Sequence, residues 1–185
     1  MANAKGSALV GAVKFLRTRR EDALRLLKPE HHHYLDDRIQ VSAWYPEEDL
    51  LALVRAVAPL LGSRSAEVYE TMGRALARQH MDSTYAHLMR EADELALPRR
   101  ALVLWQSQHD TGQMSLRIED PGHARVDVLD FALPSRELCA TITGYLRETL
   151  AIAGLVDPLV MKTACRAAGR EVCTWRATWQ AKPEA

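Results

Sequence analysis

Hydrophobic residues recur every three or four positions through the first half of the chain, which is the spacing of one buried face of a helix. This pattern predicts helices over residues 7–17, 21–27 and 47–61, another from about residue 65, and a further turn or two over 85–92. Lys28-Pro29-Glu30 and the three histidines that follow predict a polar break, because proline disfavours helix in the preceding residue. Trp44-Tyr45-Pro46 and two glutamates predict a helix start, since proline suits a first turn and acidic groups suit the positive end of a helix dipole.

Two features inside the helical half affect its packing. Residues 98–109 contain a hydrophobic run from Leu102 to Trp105 that suits either a buried helix or a buried strand, and the flanking arginines and glutamines favour a helix. Gly73 falls within the helix that starts near residue 65, where glycine costs about 1 kcal/mol relative to alanine. A second helix that crosses closely at Gly73 would explain this residue.

The hydrophobic period changes from 3.6 to 2 after Met114, as is typical of strands with one buried face. Two alternating segments joined by Asp120-Pro121-Gly122-His123 predict a hairpin that ends near Phe131. Ser135 is the predicted N-cap of a last helix that ends at Gly154. A second hairpin is predicted from residues 159–165 and 173–179, with Gly169 in its turn.

These elements predict one α+β domain over residues 1–185, helical over about 1–110 and β-rich over about 111–180. About four strands arranged as hairpins, and separated by one helix, favour an antiparallel sheet. A chain of 185 residues has the usual size of a single domain, and 48% of its residues are hydrophobic, which is enough for a core.

Charge and hydropathy narrow the range of partners. The 24 basic and 24 acidic residues balance, so nothing attracts the chain as a whole to nucleic acid or to an anionic membrane. The longest hydrophobic runs fall well short of the roughly 20 residues of a membrane-spanning helix. The N-terminal segment has its arginines after its hydrophobic stretch, the reverse of a secretory signal. We therefore expect a cytoplasmic protein whose three cysteines are reduced.

Cys139, Cys165 and Cys173 are candidate metal ligands. Two of them face each other across the predicted second hairpin, and the third begins the preceding helix. Thiolates in such an arrangement favour zinc, with a fourth ligand needed to complete a tetrahedron. The alternative is three small buried hydrophobic side chains, because free cysteine is among the most buried residue types.

Histidines and basic residues offer weaker candidates. His31-His32-His33 suits a transition metal or a solvated loop, and His80 and His87 lie two helical turns apart, as in a haem or metal site or on a half-exposed face. The basic residues between Lys14 and Lys28 suit an acidic partner or, as the more ordinary alternative, a solvated face. No serine hydrolase, metalloprotease, phosphate-loop or dinucleotide-binding motif occurs, so no residue is predicted to be catalytic.

The C-terminal pattern resembles a known group of domains. Cys139, a helix ending at Gly154, and the segment Cys165-Arg-Ala-Ala-Gly-Arg-Glu-Val-Cys173-Thr-Trp175 are similar to the vinyl-4-reductase-type domain. That group includes sensor domains of phenol-responsive bacterial transcription activators and is related in fold to haem-NO-binding domains and to TRAPP transport-complex subunits. Over its full length the chain looks most like a family of uncharacterised proteins restricted to Myxococcales, which shares Lys5-Gly6, Trp44-Tyr45-Pro46, Gly73-Arg74 and the closing cysteine segment.

The resemblance implies a ligand-binding or assembly domain that is commonly dimeric. The phenol sensors hold a structural zinc ion with three cysteines, which match Cys139, Cys165 and Cys173, and with a glutamate whose position is occupied here by Lys162. A protonated lysine is not a zinc ligand, so either another group completes the site or the metal has been lost. Haem-NO-binding domains use a Tyr-x-Ser-x-Arg motif, which we do not find in this sequence, and we therefore predict no haem.

Three functions follow from these expectations. The first is a non-enzymatic small-molecule sensor or regulatory domain that acts through a partner protein and forms a homodimer. A small apolar ligand would lie in a pocket between helices and sheet lined by Trp105, Phe131, Tyr145 and Trp175, although aromatic residues at these positions also suit simple core packing. The second is a protein–protein assembly module without a ligand. The third is an enzyme with His80, His87 or His109 in a polar cleft.

Overall fold

A computed structural model describes residues 2–82 and 96–180, so the helix predicted over 85–92 and His87 lie outside the described residues. The described helices are α1 (Gly6–Thr18), α2 (Arg20–Leu26), α3 (Glu47–Leu60), α4 (Ala66–Met81), α5 (Leu97–Gln108) and α6 (Arg136–Ile152). The described strands are β1 (Asn3–Lys5), β2 (Trp44–Pro46), β3 (Gln113–Asp120), β4 (His123–Leu129), β5 (Val156–Ala164) and β6 (Cys173–Gln180). The fold is therefore a helical half followed by a β-rich half, and the α+β class predicted from the sequence is confirmed.

The main sheet is antiparallel, with strand order β3-β4-β6-β5. The predicted hairpin over residues 114–131 is confirmed as β3 and β4, and the second predicted hairpin is confirmed as β5 and β6. The two hairpins join through β4 and β6, where Val126 is opposite Trp175. This order leaves β5 at an edge of the sheet, and α6, which links β4 to β5 in the chain, packs against β5 and β6.

Three local predictions need correction. The helix predicted to start after Trp44-Tyr45-Pro46 does begin at Glu47, but these three residues themselves form strand β2, which was not predicted, because they pair with Asn3–Lys5 in a small antiparallel sheet. The polar break at the three histidines is a 3-10 helix over Pro29–Leu35, which starts with proline in its first turn. With β1 and β2, the described residues contain six strands rather than about four. Short strands paired to distant residues carry no period of their own and so escape a search for periodicity.

α4 and α6 cross at two glycines. A β-carbon on Gly73 would lie 1.9 Å from the carbonyl oxygen of Thr141, and one on Gly144 would lie 1.9 Å from that of Glu70. The close crossing predicted for Gly73 is therefore present, and it brings the two helix backbones into direct contact. α6 begins as predicted, because the Ser135 side chain accepts a hydrogen bond from the Leu138 amide at 3.1 Å.

Among residues 2–82 and 96–180, no helix is both long enough and hydrophobic enough to cross a membrane.

Candidate functional site

A cavity of about 100 Å³ lies among α4, α5, α6 and the buried face of β3. Most of its described lining is hydrophobic, including Leu76 of α4, Leu104 of α5, Met114 of β3 and Ile142 of α6. No aspartate, glutamate, lysine or arginine occurs in the part of the lining that the structure describes. Such a cavity suits an uncharged ligand, because a charge placed there would lack a counter-charge.

Three of the four aromatic residues chosen from the sequence lie around this cavity. Trp105, Phe131 and Tyr145 belong to its lining, and the Trp105 indole N–H donates to the carbonyl oxygens of Thr111 and Gly112 at 3.1 and 3.2 Å. Trp175 lies outside the described lining. Its indole N–H instead donates to the Thr143 hydroxyl at 2.8 Å, on a different side of α6 from the cavity.

His80 is a buried histidine in the cavity wall. Its Nδ1 accepts a hydrogen bond from the Tyr145 hydroxyl at 3.0 Å, and its Nε2 donates to the carbonyl oxygen of Ser7 at 3.2 Å. Burial lowers the pKa of His80, because the charged imidazolium is poorly solvated there, and the hydrogen bond to Ser7 opposes this only in part. His80 is thus a neutral side chain that ties α4 to α1 and α6.

His109 and Glu47 form a second buried pair. Glu47 is fully buried, and its Oε1 lies 2.7 Å from Nδ1 of His109. The His109 ring stacks on Trp105 with centroids 4.3 Å apart and meets Phe131 edge-on at 5.5 Å. The pair therefore holds two of the aromatic lining residues, although the sequence linked neither His109 nor Glu47 to the pocket.

Two further polar residues line the cavity and were not expected from the sequence. Gln108 is 6% exposed and Thr149 is 7% exposed. The Gln108 Nε2 and Thr149 Oγ1 atoms have no hydrogen-bond partner in the protein. The sequence does not distinguish these two residues, because glutamine and threonine are common on helix surfaces. They could be identified only once the structure showed which helix faces meet the cavity.

The same fold occurs in solved H-NOX structures. An H-NOX protein from S. oneidensis in the Fe(II)NO ligation state superposes with a TM-score of 0.70 at 15% identity, covering 95% of this chain and 99% of that one. The fold is H-NOX-like. An oxygen-binding H-NOX domain related to soluble guanylate cyclases gives a TM-score of 0.65 at 10% identity, with 98% and 97% coverage. A structure concerned with haem distortion in the H-NOX family gives 0.66 at 10% identity, with 98% of both chains covered.

No protein-family model and no curated protein matches the chain. The H-NOX structures confirm the predicted relation in fold to haem-NO-binding domains. The resemblances to vinyl-4-reductase-type domains, to TRAPP subunits and to a Myxococcales family stay predictions.

The described cavity does not fit a haem. Its volume of about 100 Å³ is well below the roughly 300–1,000 Å³ of pockets that hold cofactors and drug-sized ligands. Of the two histidines in the described lining, His80 uses both ring nitrogens in hydrogen bonds within the protein, and His109 is paired with Glu47 through Nδ1 and stacked on Trp105. The described lining also offers no cation for the two carboxylates of a haem. The fold is thus shared with the H-NOX structures, whereas the described cavity is smaller than a haem requires.

The three cysteines come together at the other candidate site. Sγ of Cys139, on α6, lies 3.8 Å from Sγ of both Cys165 and Cys173, and all three sulfurs lie within 4.8 Å of one another. With Zn–S bonds of about 2.3 Å, a tetrahedral site holds its sulfurs about 3.8 Å apart. Two of the three spacings therefore match a zinc site, and no aspartate, glutamate or histidine of the described residues joins the cluster as a fourth ligand.

Lys162 lies beside this cluster. Its ammonium nitrogen is buried and lies 3.5 Å from the ring centroid of Trp175, as in a cation–π contact. The pKa of Cys173 is lowered, first by a hydrogen bond from the Cys139 thiol and then by the Arg166 backbone N–H and the charge of Lys162. The pKa of Cys139 is raised by the same thiol pair and by burial. Cys173 is therefore the more acidic of these two thiols.

The remaining sequence candidates do not converge. His31, His32 and His33 bond to Asp49, to the Leu27 carbonyl and to the Glu30 carbonyl respectively, so their rings point to three different partners. Among the described residues, the cysteines are the one group of three or more histidines, cysteines or acids placed closely enough for a metal.

The basic stretch is largely paired within the chain. Arg19 and Arg25 both bond to Asp22, and Arg20 bonds to Asp36. These side chains are about half exposed or more, and the pairing fits the solvated-face alternative.

Proposed function

We propose that this protein is a small-molecule-binding sensor or regulatory domain whose ligand occupies the cavity between the helices and the sheet. The observation that carries the proposal is the cavity itself. Well-packed cores have few voids larger than a water molecule, and a cavity of about 100 Å³ lined by Trp105, Phe131 and Tyr145 is more than packing requires. Empty apolar cavities of similar size, about 150 Å³, take up benzene or xenon.

The ligand is small and uncharged. It is smaller than a haem, for the reasons of volume and lining given above, and about the size of a single ring or less. The H-NOX structures bind gases, as the Fe(II)NO and oxygen states show for those proteins. We propose that this chain keeps their ligand-binding architecture and places an apolar molecule directly in the protein.

Xenon tests the cavity without any assumption about chemistry. We expect xenon to shift the NMR signals of methyl groups around the cavity, with saturation as the pressure rises. Ala101 lines the cavity on α5 and Ala151 is exposed on α6, so Ala101→Leu fills the space and Ala151→Leu is a matched control. Saturable binding that Ala101→Leu abolishes and Ala151→Leu preserves supports the proposal. A wild-type protein that takes up no xenon contradicts it and favours an assembly module instead.

The domain would act through a partner, and we propose a second copy of the chain as the first partner to test. β5 is an edge strand, and Val156, Leu159 and Met161 on it are 51, 55 and 66% exposed. An edge strand with exposed hydrophobic side chains is suited to pairing with another chain. Native mass spectrometry would report a dimer, and Met161→Lys is expected to dissociate it. A monomer at micromolar concentration contradicts the dimer and leaves the ligand proposal to stand on xenon binding.

We also propose that the cysteine cluster holds a structural zinc ion. Cys139, Cys165 and Cys173 would be its protein ligands, and the sulfur spacing of 3.8 Å supports this assignment. Three thiolates and Zn²⁺ carry a net charge of −1, which the buried ammonium of Lys162 would neutralise. Zinc would supply a cross-link between α6 and the β5–β6 hairpin rather than catalysis.

Metal analysis of protein purified without chelator tests this second proposal. We expect one zinc per chain and its loss in Cys139→Ser and Cys173→Ser. Exposure to excess zinc followed by desalting provides a second measurement. Three thiols that still react freely after this treatment, with no retained metal, would contradict the zinc site and leave three core cysteines.

A further inference from the structure

Two polar atoms in the wall of the cavity are without a hydrogen-bond partner in the protein. They are Nε2 of Gln108 on α5 and Oγ1 of Thr149 on α6, and both residues are more than nine-tenths buried. Buried polar groups are satisfied in the large majority of cases, so each exception calls for a cause. Two exceptions in the lining of one cavity point to a bound group that satisfies them.

No other buried polar side-chain atom of the described lining lacks a hydrogen-bond partner, and Nδ1 of the lining residue His109 is paired with Glu47 at 2.7 Å. The Tyr145 hydroxyl donates to His80, both nitrogens of His80 are bonded, and the Trp105 indole N–H reaches two carbonyl oxygens. The Thr141 hydroxyl donates to the Glu137 carbonyl at 3.0 Å. Gln108 and Thr149 are therefore set apart from the rest of the described polar lining.

The side-chain amide of Gln108 is held in one orientation, in which its NH₂ group has no hydrogen-bond partner. Its Oε1 accepts a hydrogen bond from the Ser7 hydroxyl at 3.2 Å, which orients the amide and leaves the NH₂ group unused. An NH₂ group donates and does not accept. The group that meets Gln108 must therefore be a hydrogen-bond acceptor.

Thr149 differs from two other threonines of its helix, Thr141 and Thr143. Thr141 and Thr143 each donate their hydroxyl to the carbonyl oxygen four residues earlier, at 3.0 and 2.9 Å. This is the usual way for a threonine within a helix to satisfy its hydroxyl. Thr149 makes no such bond, so its hydroxyl is available to a molecule in the cavity.

We infer that the cavity binds a small, uncharged molecule with an apolar body and a carbonyl-type acceptor, such as a ketone or an aldehyde. This inference rests on the proposed function. The Gln108 NH₂ group can only donate and the Thr149 hydroxyl can donate, and a carbonyl oxygen accepts up to two hydrogen bonds. A charged ligand, such as a carboxylate or a protonated amine, is excluded by the uncharged described lining. The volume of about 100 Å³ limits the body to about a five-membered ring.

Cyclopentanone and cyclopentane are matched probes, because they share a ring and differ in the acceptor. We would measure the Kd of each for the wild type, Thr149→Val and Gln108→Met by NMR titration. Thr149→Val keeps the shape of the side chain and removes the hydroxyl. Ser7→Ala is the control for Gln108→Met, since it also breaks the Ser7–Gln108 hydrogen bond but keeps the NH₂ group.

We expect each of the two variants to weaken cyclopentanone binding by about 3- to 10-fold and to change cyclopentane binding less than about 2-fold. Thr149→Val should also raise the Tm of the ligand-free protein by about 2–4 °C, since it removes an unsatisfied buried hydroxyl. Equal weakening of both probes, or a lower Tm for Thr149→Val, overturns the assignment of the two donors.

The probes separate failure of this inference from failure of the proposed function. If cyclopentane and xenon bind but cyclopentanone has no advantage that depends on Gln108 and Thr149, ordered water satisfies the two groups and the carbonyl inference is wrong. If xenon and both probes fail to bind, the cavity is not a ligand site, and the proposed function falls together with the inference.

Discussion

Gly73 on α4 lies so close to Thr141 on α6 that a β-carbon on the glycine would be 1.9 Å from the threonine carbonyl oxygen. Gly144 repeats this contact in the opposite direction, against the carbonyl of Glu70. The two helices thus meet backbone to backbone along one wall of the cavity, because Thr141 and Tyr145 next to the crossing are lining residues. The position of that wall depends on two residues that have no side chain.

Gly73→Ala should destabilise the fold. The new methyl group has no space unless α4 and α6 move apart, and such overpacking costs about 1–3 kcal/mol or more. Gly11 is the matched control within a helix, since a β-carbon there would be 3.1 Å from the end of the flexible Gln79 side chain. Gly11→Ala is expected to be neutral or to stabilise by up to about 1 kcal/mol. Urea unfolding measures both, and equal effects of the two variants would contradict the close crossing.

Lys162→Glu should tighten zinc binding at the proposed cluster. Glutamate supplies a fourth ligand of the kind that the resemblance to phenol sensors implies, whereas Lys162→Met removes the ammonium and adds no ligand. We expect the metal to survive chelator longest in Lys162→Glu and to be lost earliest in Lys162→Met, because the trithiolate site there loses its counter-charge. Competition with a chromogenic chelator gives the order, and the reverse order would show that Lys162 opposes the metal.

Stability should fall in mild acid through His80. The pKa of this buried histidine is lowered in the folded state, so below about pH 6.5 the unfolded chain takes up a proton that the folded protein does not. The stabilising contribution is fully present above that pH and is lost as the pH falls towards the lowered pKa, by at most about 1.4 kcal/mol per pH unit.

Urea unfolding of the wild type and of His80→Gln between pH 5 and pH 8 checks the sign. The difference in unfolding free energy between the two proteins should shrink as the pH falls. A difference that stays constant, or that grows in acid, would mean that His80 is protonated in the folded protein.

Ser135→Ala should weaken the start of α6. The Ser135 side chain accepts the Leu138 amide, and loss of such a cap costs about 0.5–2 kcal/mol. Ser65 holds the same position before α4 but makes no side-chain cap bond, so Ser65→Ala is a matched control with a smaller expected effect. Thermal unfolding distinguishes them, and a loss in Ser65→Ala as large as in Ser135→Ala would show that the cap bond is not the cause.

Local patterns in the sequence were sufficient for most of the secondary structure. α5 was predicted as a helix from the residues around Leu102–Trp105, and both hairpins of the main sheet were predicted from alternation and turn residues. Strands β1 and β2 were missed, because three-residue strands are defined by their pairing partner and not by their own pattern. Convergence of the cysteines was inferred from the hairpin, since the turn brings Cys165 and Cys173 towards each other.

The sequence by itself determined the α+β class and the helix and hairpin positions, because these follow from residue type and short-range spacing. Only the tertiary structure decided that Trp175 bonds to Thr143 away from the cavity, and that Gln108 and Thr149 face it without partners. Whether a polar group is satisfied depends on which helix faces meet across the core. The helix faces that meet belong to residues far apart in the chain, so no local sequence pattern predicts which polar groups find partners.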